Sequence, residues 1–210
     1  WDLNKEMLPA VDGVFVYGNY AGSAAAPGSY TARLQVDGKE SQAPIHLIAD
    51  PNIVANAKDY QEQEALLDAI DAQIRDIHSS VTNMREVQKQ LAFCLKNIQD
   101  NADYQNLYEQ GQTLEDALIA WEKKLIQPDQ KTFQDVINFN NQLNAEFMHL
   151  KGYVDTADPA VTQGALERFD DLKKEWGAAS EALQRLITNE IATFNQAYQN
   201  LKIPVLTIPE

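Results

Sequence analysis

Residues 67–98 read LDAIDAQIRDIHSSVTNMREVQKQLAFCLKNI. Apolar residues recur in this stretch at spacings of three and four, which is the period of one buried face of an α-helix. The stripe consists of Leu67, Ile70, Ile74, Ile77, Val81, Met84, Leu91, Leu95 and Ile98. We therefore predict one long helix, from about Lys58 to Gln99, whose apolar seam packs against a partner helix.

A second stripe near the end of the sequence predicts that partner. It consists of Leu166, Phe169, Leu172, Trp176, Leu183, Ile187, Ile191, Phe194, Tyr198 and Leu201. Asp158 suits the N-cap and Pro159 the first helical position, while Pro204 would stop the helix near Lys202. Each long helix would have roughly 40 residues and a length of about 60 Å.

Two shorter helices are predicted between the long ones, at about 103–127 and 132–155. Their inward residues would be Leu107, Leu114, Leu118, Trp121 and Leu125 on the first, and Phe133, Val136, Ile137, Leu143, Phe147, Leu150 and Val154 on the second. We expect an antiparallel up-and-down four-helix bundle, in which the short helices form a half-length hairpin against one end of the long pair. Asn140 and Asn141 would lie mid-helix and bond across the bundle.

The sequence before Asp50-Pro51 has a β pattern, so the fold class is mainly α with a small β part. A short apolar run, VFVY, occupies residues 14–17, and apolar residues alternate with polar ones over 30–36. Asp37-Gly38 predicts a tight hairpin turn, and Pro44 places the returning strand at an edge. So few strands make a weak sheet, which either the helices cover or further strands of a sandwich complete.

These signals divide the chain into four parts. Residues 1–50 form the β-segment, 51–57 a linker and 58–202 the bundle. Residues 203–210 form an extended apolar tail, which we expect to pack on the β-segment and to add a strand to it.

Composition restricts the partners. The chain has 210 residues and a formal net charge of -14, and this field repels nucleic acid and anionic membrane surfaces. No run approaches about 18 consecutive apolar residues and no leader pattern opens the chain, so neither a spanning helix nor a signal peptide is predicted. The single cysteine, Cys94, cannot form an intrachain disulfide and is expected to be a small buried hydrophobe.

No residue pattern predicts catalysis or binding of a metal or cofactor. His46, His78 and His149 are scattered and fit no zinc-binding frame. The acidic groups Asp68, Asp71 and Asp76, and Asp170, Asp171 and Glu175, are expected on polar helix faces, where nothing raises a carboxyl pKa. A hydrolase that uses such carboxylates is the weakest of three functional hypotheses.

Aromatic residues give the only candidate ligand contacts. Tyr17, Tyr20 and Tyr104 could stack on a sugar or a peptide, although packing is the simpler explanation for each. Trp121 and Trp176 fall in register with the leucines and are expected in the core. The second functional hypothesis is accordingly a glycan- or peptide-binding module, which uses the loop 21–29 and the nearby tyrosines.

Two parts of the sequence resemble known proteins. The motif WDL at residues 1–3, with APGSYTARL at 26–34 and VDGK at 36–39, resembles the closing strands of an Ig-like module. The motifs NQL at 141–143, VDTAD at 154–158 and VTQGA at 161–165 resemble the C-terminal helical region of large secreted bacterial proteins. Those proteins carry sortilin-like BNR (Asp-box) β-propellers and are often labelled glycosyl hydrolases.

The resemblance implies the leading functional hypothesis. The chain would be a non-catalytic C-terminal region of a secreted or periplasmic protein, the end of an Ig-like sandwich followed by a helical bundle. It would act as a spacer or docking module for an upstream β-propeller of the same polypeptide, or for another protein. No Asp-box repeat lies within the 210 residues, so any glycosyl hydrolase site would lie outside this chain.

Overall fold

The computed structural model describes residues 1–16, 18 and 20–201. This part of the chain is mainly helical, with one two-stranded antiparallel sheet. The strands are β1 (Gly28–Val36) and β2 (Lys39–Leu47), and the helices are α1 (Ala57–Ile98), α2 (Gln105–Glu122), α3 (Leu143–Val154), α4 (Gln163–Arg185) and α5 (Ala192–Gln199). Two short 3-10 helices, Ala102–Tyr104 and Phe133–Ile137, and one π-helical turn, Leu186–Ile191, complete the described elements.

Helix α1 confirms the prediction made from residues 67–98. It has 42 residues, so it is about 63 Å long at the usual rise of 1.5 Å per residue. Asn56 caps it by accepting hydrogen bonds from the backbone N–H groups of Lys58 and Asp59, and the Asp59 carboxylate accepts one from the backbone N–H of Asn56. Every residue of the predicted stripe is buried.

Helices α2 and α3 follow each other along α1, and the predicted half-length hairpin between them is wrong. Glu122, at the end of α2, accepts a hydrogen bond from Arg85 Nε at 3.0 Å. Further along the same return path, the carbonyl of Val154 at the end of α3 accepts one from Gln63 at 2.8 Å. The two helices therefore contact different halves of α1, and both run antiparallel to it.

The last helical row runs parallel to α1, not antiparallel as predicted. Trp176 in α4 donates its indole N–H to Asp76 in α1 at 3.0 Å, and one cavity is lined by both Phe194 of α5 and Cys94 of α1. Residue numbers thus increase in the same direction along both helices. The described helices form three rows: α1, then α2 with α3, then α4 with the π-helical turn and α5.

The third predicted helix is much shorter than expected. Residues 132–142 carry only the 3-10 helix, in which Phe133 and Ile137 are 55% and 85% exposed instead of buried. Asn140 and Asn141 precede α3 in irregular backbone, and the Asn140 carbonyl accepts a hydrogen bond from Gln127. The expectation that these asparagines bond across the bundle from a mid-helix position is therefore wrong.

The boundaries of the last row also differ from the prediction. Thr162, not Asp158, caps α4, with its side chain accepting from the backbone N–H of Ala165. Helix α5 ends at Gln199. Leu201 follows at the end of α1 that carries Ile98, and residues 202–210, with the predicted tail, lie outside the described residues.

The hairpin β1–β2 forms as predicted around Asp37-Gly38, whose φ angles of 47° and 74° are those of a tight two-residue turn. Pairing runs from Val36 with Lys39 to Gly28 with Leu47. Thr31 pairs with Pro44. In the alternation set by this turn, that pair exchanges no ladder hydrogen bond, so the missing N–H of Pro44 faces the outer edge of β2.

Residues 4–24 are called the N-terminal segment, and their described part, 4–16, 18 and 20–24, forms no strand of the sheet. Residues 14–16 of the predicted VFVY strand are irregular, and Tyr17 lies outside the described residues. The segment turns back on itself: the Leu8 N–H donates to the Tyr20 carbonyl at 2.7 Å. It packs on α1 and α3 and buries Leu8, Val11 and Val16 in the same core as the helices.

Candidate functional site

The candidate site is the contact region between the N-terminal segment, α1 and α3. Here cationic and imidazole side chains of the helical part reach the main chain of the segment. Arg75 donates to the carbonyls of Glu6 and Met7 at 3.0 and 3.4 Å, and Arg85 donates to the carbonyl of Asp12 at 2.6 Å. These bonds follow the segment along the axis of α1, so they fix its path.

A buried ion pair lies beneath the segment. Lys151 Nζ of α3 lies 2.9 Å from Asp71 Oδ1 of α1, and both side chains are almost completely buried. Lys151 also donates to the Ala21 carbonyl at 2.6 Å, and the buried Ser23 hydroxyl lies 3.5 Å from Asp71 Oδ2. Such a pair requires its additional hydrogen bonds to offset the desolvation of two charges. The polar groups of the segment supply them.

The imidazole of His78 forms a second buried polar contact with the segment. His78 is 1% exposed, and its Nδ1 lies 2.6 Å from the carbonyl of Pro9. Since a carbonyl can only accept, Nδ1 carries the proton. Nε2 then accepts from the side-chain N–H of Asn144 at 3.4 Å, while Asn144 Oδ1 is held by the backbone N–H of Ala145. Burial lowers the pKa of His78, and the hydrogen bond to the Pro9 carbonyl opposes this shift.

The structure does not bring the predicted ligand contacts together. Tyr20 packs its ring against His78, with centroids 5.7 Å apart, and burial raises the pKa of its hydroxyl. Tyr104 ends the 3-10 helix beyond α1 and packs against the core there, about 30 Å along α1 from the level of His78. Tyr17 is outside the described residues.

The sequence prediction places Asp71 on a polar helix face, which is wrong, and it assigns no role to Lys151. Asp71 lies four residues after Leu67 and three before Ile74, and Lys151 has the same spacing from Phe147 and Val154. These are seam positions. A charged residue at a seam position was the available signal, and one of each sign on facing helices indicates a buried pair.

An open cavity of about 380 Å³ lies at the base of the hairpin. Ala26 and Pro27 of the predicted binding loop line one side, and Tyr60 and Glu64 of α1 line the other. Its walls are mostly small apolar side chains with an aromatic ring and a carboxylate, a combination that suits a sugar or a short peptide.

The carboxylates of this region lie in ion pairs and hydrogen bonds. Within residues 1–16, 18 and 20–201, no group of three or more His, Cys, Asp or Glu side chains is placed to hold a metal ion. No helix in the described part is long and apolar enough to cross a bilayer. The nearest acids of the predicted polar faces are engaged, since Asp68 accepts from Lys5 at 2.5 Å and Asp76 from Trp176.

Comparison with known proteins adds no relative to this geometry. No family model matches this chain, and neither a curated protein nor a solved structure matches it.

Proposed function

We propose that this chain is a non-catalytic spacer or docking region of a larger secreted or periplasmic protein, in which it follows a BNR-type β-propeller. In this proposal, β1 and β2 are the closing strands of an Ig-like sandwich, and the three helical rows form the bundle that follows them. The resemblance of residues 1–39 and 141–165 to such proteins motivates the proposal.

The uncovered face of the hairpin is the observation that carries it. Tyr30, Ala32, Leu34 and Val36 alternate along β1, so their side chains share one face of the sheet. Leu34 and Val36 on that face are 64% and 54% exposed, since no described helix covers them. The opposite face, with Thr31, Arg33 and Gln35, is polar. A two-stranded sheet with one apolar face in water is marginal alone, and strands of a facing sheet would bury that face.

The outer edge of β1 supports the same interpretation. The N–H groups of Ser29, Thr31, Arg33 and Gln35 point away from β2, because these residues alternate with the pairs that exchange ladder bonds. Pro44 removes an N–H from the other edge. Further strands could therefore add beside β1 and not beside β2.

Two measurements on a longer polypeptide test the proposal. The parent gene is sequenced upstream of Trp1, and the product that includes the preceding residues is compared with this chain by amide hydrogen exchange. We expect Asp-box repeats upstream, and protection of the Thr31 and Arg33 amides in the longer product only. A coding sequence without such repeats, or equal exchange in both proteins, overturns the proposal. Glycoside hydrolysis by this chain alone would contradict its non-catalytic character.

The cavity at the base of the hairpin favours a second candidate function, the binding of a glycan or a peptide. Tyr60 would stack on the ligand and Glu64 would accept its hydroxyl or amide protons. A glycan screen compares the wild type with Tyr60→Ala, and Tyr153→Ala on α3 serves as the exposed-tyrosine control. The candidate is supported if the wild type and Tyr153→Ala bind a glycan and Tyr60→Ala does not. It is contradicted if the wild type binds no glycan.

A further inference from the structure

The groove that holds the N-terminal segment recognises backbone groups more than side chains. Beside Arg75 and Arg85, His78 donates to the carbonyl of Pro9, Lys131 to that of Gly13 at 3.2 Å and Lys151 to that of Ala21. Every residue carries a carbonyl, so these contacts do not depend on the side chains and favour any chain that folds back as this segment does. Donors from cationic side chains make the stronger class of hydrogen bond.

Apolar side chains give the groove its selectivity. Leu8 and Val11 are each 2% exposed and Val16 is 7% exposed, and all three enter the helical core. Met7, between the carbonyl contacts, points to solvent and is 70% exposed. The groove thus selects buried apolar residues at spacings of three and five, and it leaves the intervening positions free.

The connection between segment and groove resembles a tether. Residues 25–56 join the N-terminal segment to α1 and consist of the exposed hairpin and two irregular stretches. The hairpin strands are mostly exposed, whereas residues 5–24 make the hydrogen bonds to α1 and α3 described above. The segment is therefore held by its own contacts with the groove, and the tether mainly raises its local concentration.

We propose that the α1/α3 groove is a binding site for a polypeptide that folds back on itself and carries apolar anchors spaced as in Leu8, Val11 and Val16, and that the N-terminal segment fills it in cis. A peptide with the same anchors occupies the groove in trans when the segment leaves. This site is separate from the sheet edge and the hairpin cavity discussed above.

The test cleaves the chain between the N-terminal segment and the hairpin. A specific protease site is inserted between Ala26 and Pro27 of the full chain, and the folded protein is cleaved. We expect residues 1–26 to stay bound during gel filtration at micromolar concentration. A labelled synthetic peptide of residues 1–26 should then exchange into the groove with saturable binding, measured by fluorescence anisotropy.

Peptide variants separate specific occupancy from adsorption. The double change Leu8→Asp and Val11→Asp should abolish competition, while the matched peptide Met7→Asp should compete as well as the wild type. On the protein, Arg75→Gln removes only carbonyl contacts and should weaken the peptide about three- to tenfold, since one or two hydrogen bonds are lost.

Three outcomes overturn the inference. In the first, the labelled peptide fails to bind although circular dichroism shows intact helices. In the second, the helices unfold when residues 1–26 leave, which would make the segment part of the core. In the third, the Leu8→Asp, Val11→Asp peptide competes as well as the wild-type peptide.

Discussion

Gly111 shows how closely two helical rows approach each other. A Cβ atom at this position would lie 2.4 Å from Leu95 Cδ2 and 2.8 Å from Phe194 Cε2, and both neighbours are buried. The sequence alone suggested only that this glycine weakens α2, because helix propensity is a local property. The structure shows that α1, α2 and α5 meet there, and that the missing side chain permits the contact.

We predict opposite effects for two glycine substitutions in helices. Gly111→Ala should lower the free energy of unfolding by about 1–3 kcal/mol, because the added methyl group overpacks the core. Gly177→Ala, in α4, should raise it by up to about 1 kcal/mol, since nothing lies within 4 Å of its Cβ and alanine favours the helix. Urea titration followed by circular dichroism measures both. Stabilisation by Gly111→Ala would show that the rows are further apart than described.

His78 makes the attachment of the N-terminal segment sensitive to pH. Its pKa in the folded protein is lowered from 6.5, so the unfolded chain binds more protons between the two values. Stability should therefore fall as pH drops below about 6.5 and become constant, for this group, below the folded pKa. Protonated Nε2 would also face the Asn144 amide, which is a donor.

The measurement compares melting temperatures at pH 7.5 and 5.5 for the wild type and His78→Gln. Between pH 7.5 and 5.5, the melting temperature of the wild type should fall more than that of the variant, because glutamine does not titrate. His149→Gln is the matched control, since His149 is exposed and its removal should leave the wild-type difference unchanged. Equal pH dependence in wild type and His78→Gln would contradict the prediction.

At the scale of elements, continuous periodicity was the reliable signal. Helices α1 and α2 were predictable because their apolar residues repeat without interruption, and Trp121 and Trp176 are buried as their register predicted. The third helix was overextended, because Phe133 and Ile137 continue the helical spacing although residues 138–142 are irregular. Spacing alone cannot show whether an apolar side chain finds a neighbour.

The π-helical turn explains another local error. The prediction placed Ile187 inward, but Leu186 and Ile191 pack against the core and Ile187 is exposed. Leu166 is exposed too, and its neighbour Ala165 is buried. Ile191 lies five positions after Leu186, a spacing that a π turn brings to one face and an α turn does not. The sequence stripe allowed either choice of inward residues.

The hairpin should tolerate polar substitution on its apolar face. The double change Leu34→Thr and Val36→Thr should alter the free energy of unfolding of the helices by less than about 0.5 kcal/mol, because both side chains are exposed. Leu118→Ala, at a completely buried site, should lower the free energy of unfolding by about 2–5 kcal/mol. Urea titration monitors both variants. A large loss for the hairpin variant would mean that the helices do cover this face.

At the scale of the molecule, the order of the helical rows could not be predicted. The predicted connection between the two short helices has only a few residues and favours a hairpin beside one end of α1, whereas residues 123–142 of the structure separate α2 from α3 and allow a return along the whole length of α1. Both arrangements bury the same stripes. The deciding contacts, such as Gln63 with Val154 and Arg85 with Glu122, involve polar residues that the apolar pattern ignores.

The net charge of -14 predicts a dependence on salt. Repulsion between acidic groups destabilises the compact state, and 0.1 M salt screens charges further apart than about 10 Å. The melting temperature should therefore rise between 10 and 150 mM NaCl. The change Asp116→Asn, Asp170→Asn and Glu181→Gln takes the net charge from -14 to -11 and should reduce that rise. A melting temperature that falls with salt would show that ion pairs such as Lys5 with Glu64 outweigh the repulsion.

The breaks in two of the helical rows fall at neighbouring levels. The second row is interrupted at residues 123–142, opposite His78 to Arg85 of α1, and the π-helical turn of the third row lies near Val87 and Leu91. Helix α1 crosses both levels as regular α-helix, and one other row is also regular at each of them. Ala178 and Ala182 of α4 lie beside the interruption at 123–142, and Leu114 of α2 lies beside the π-helical turn. The breaks are therefore staggered, and two continuous helices bridge each one.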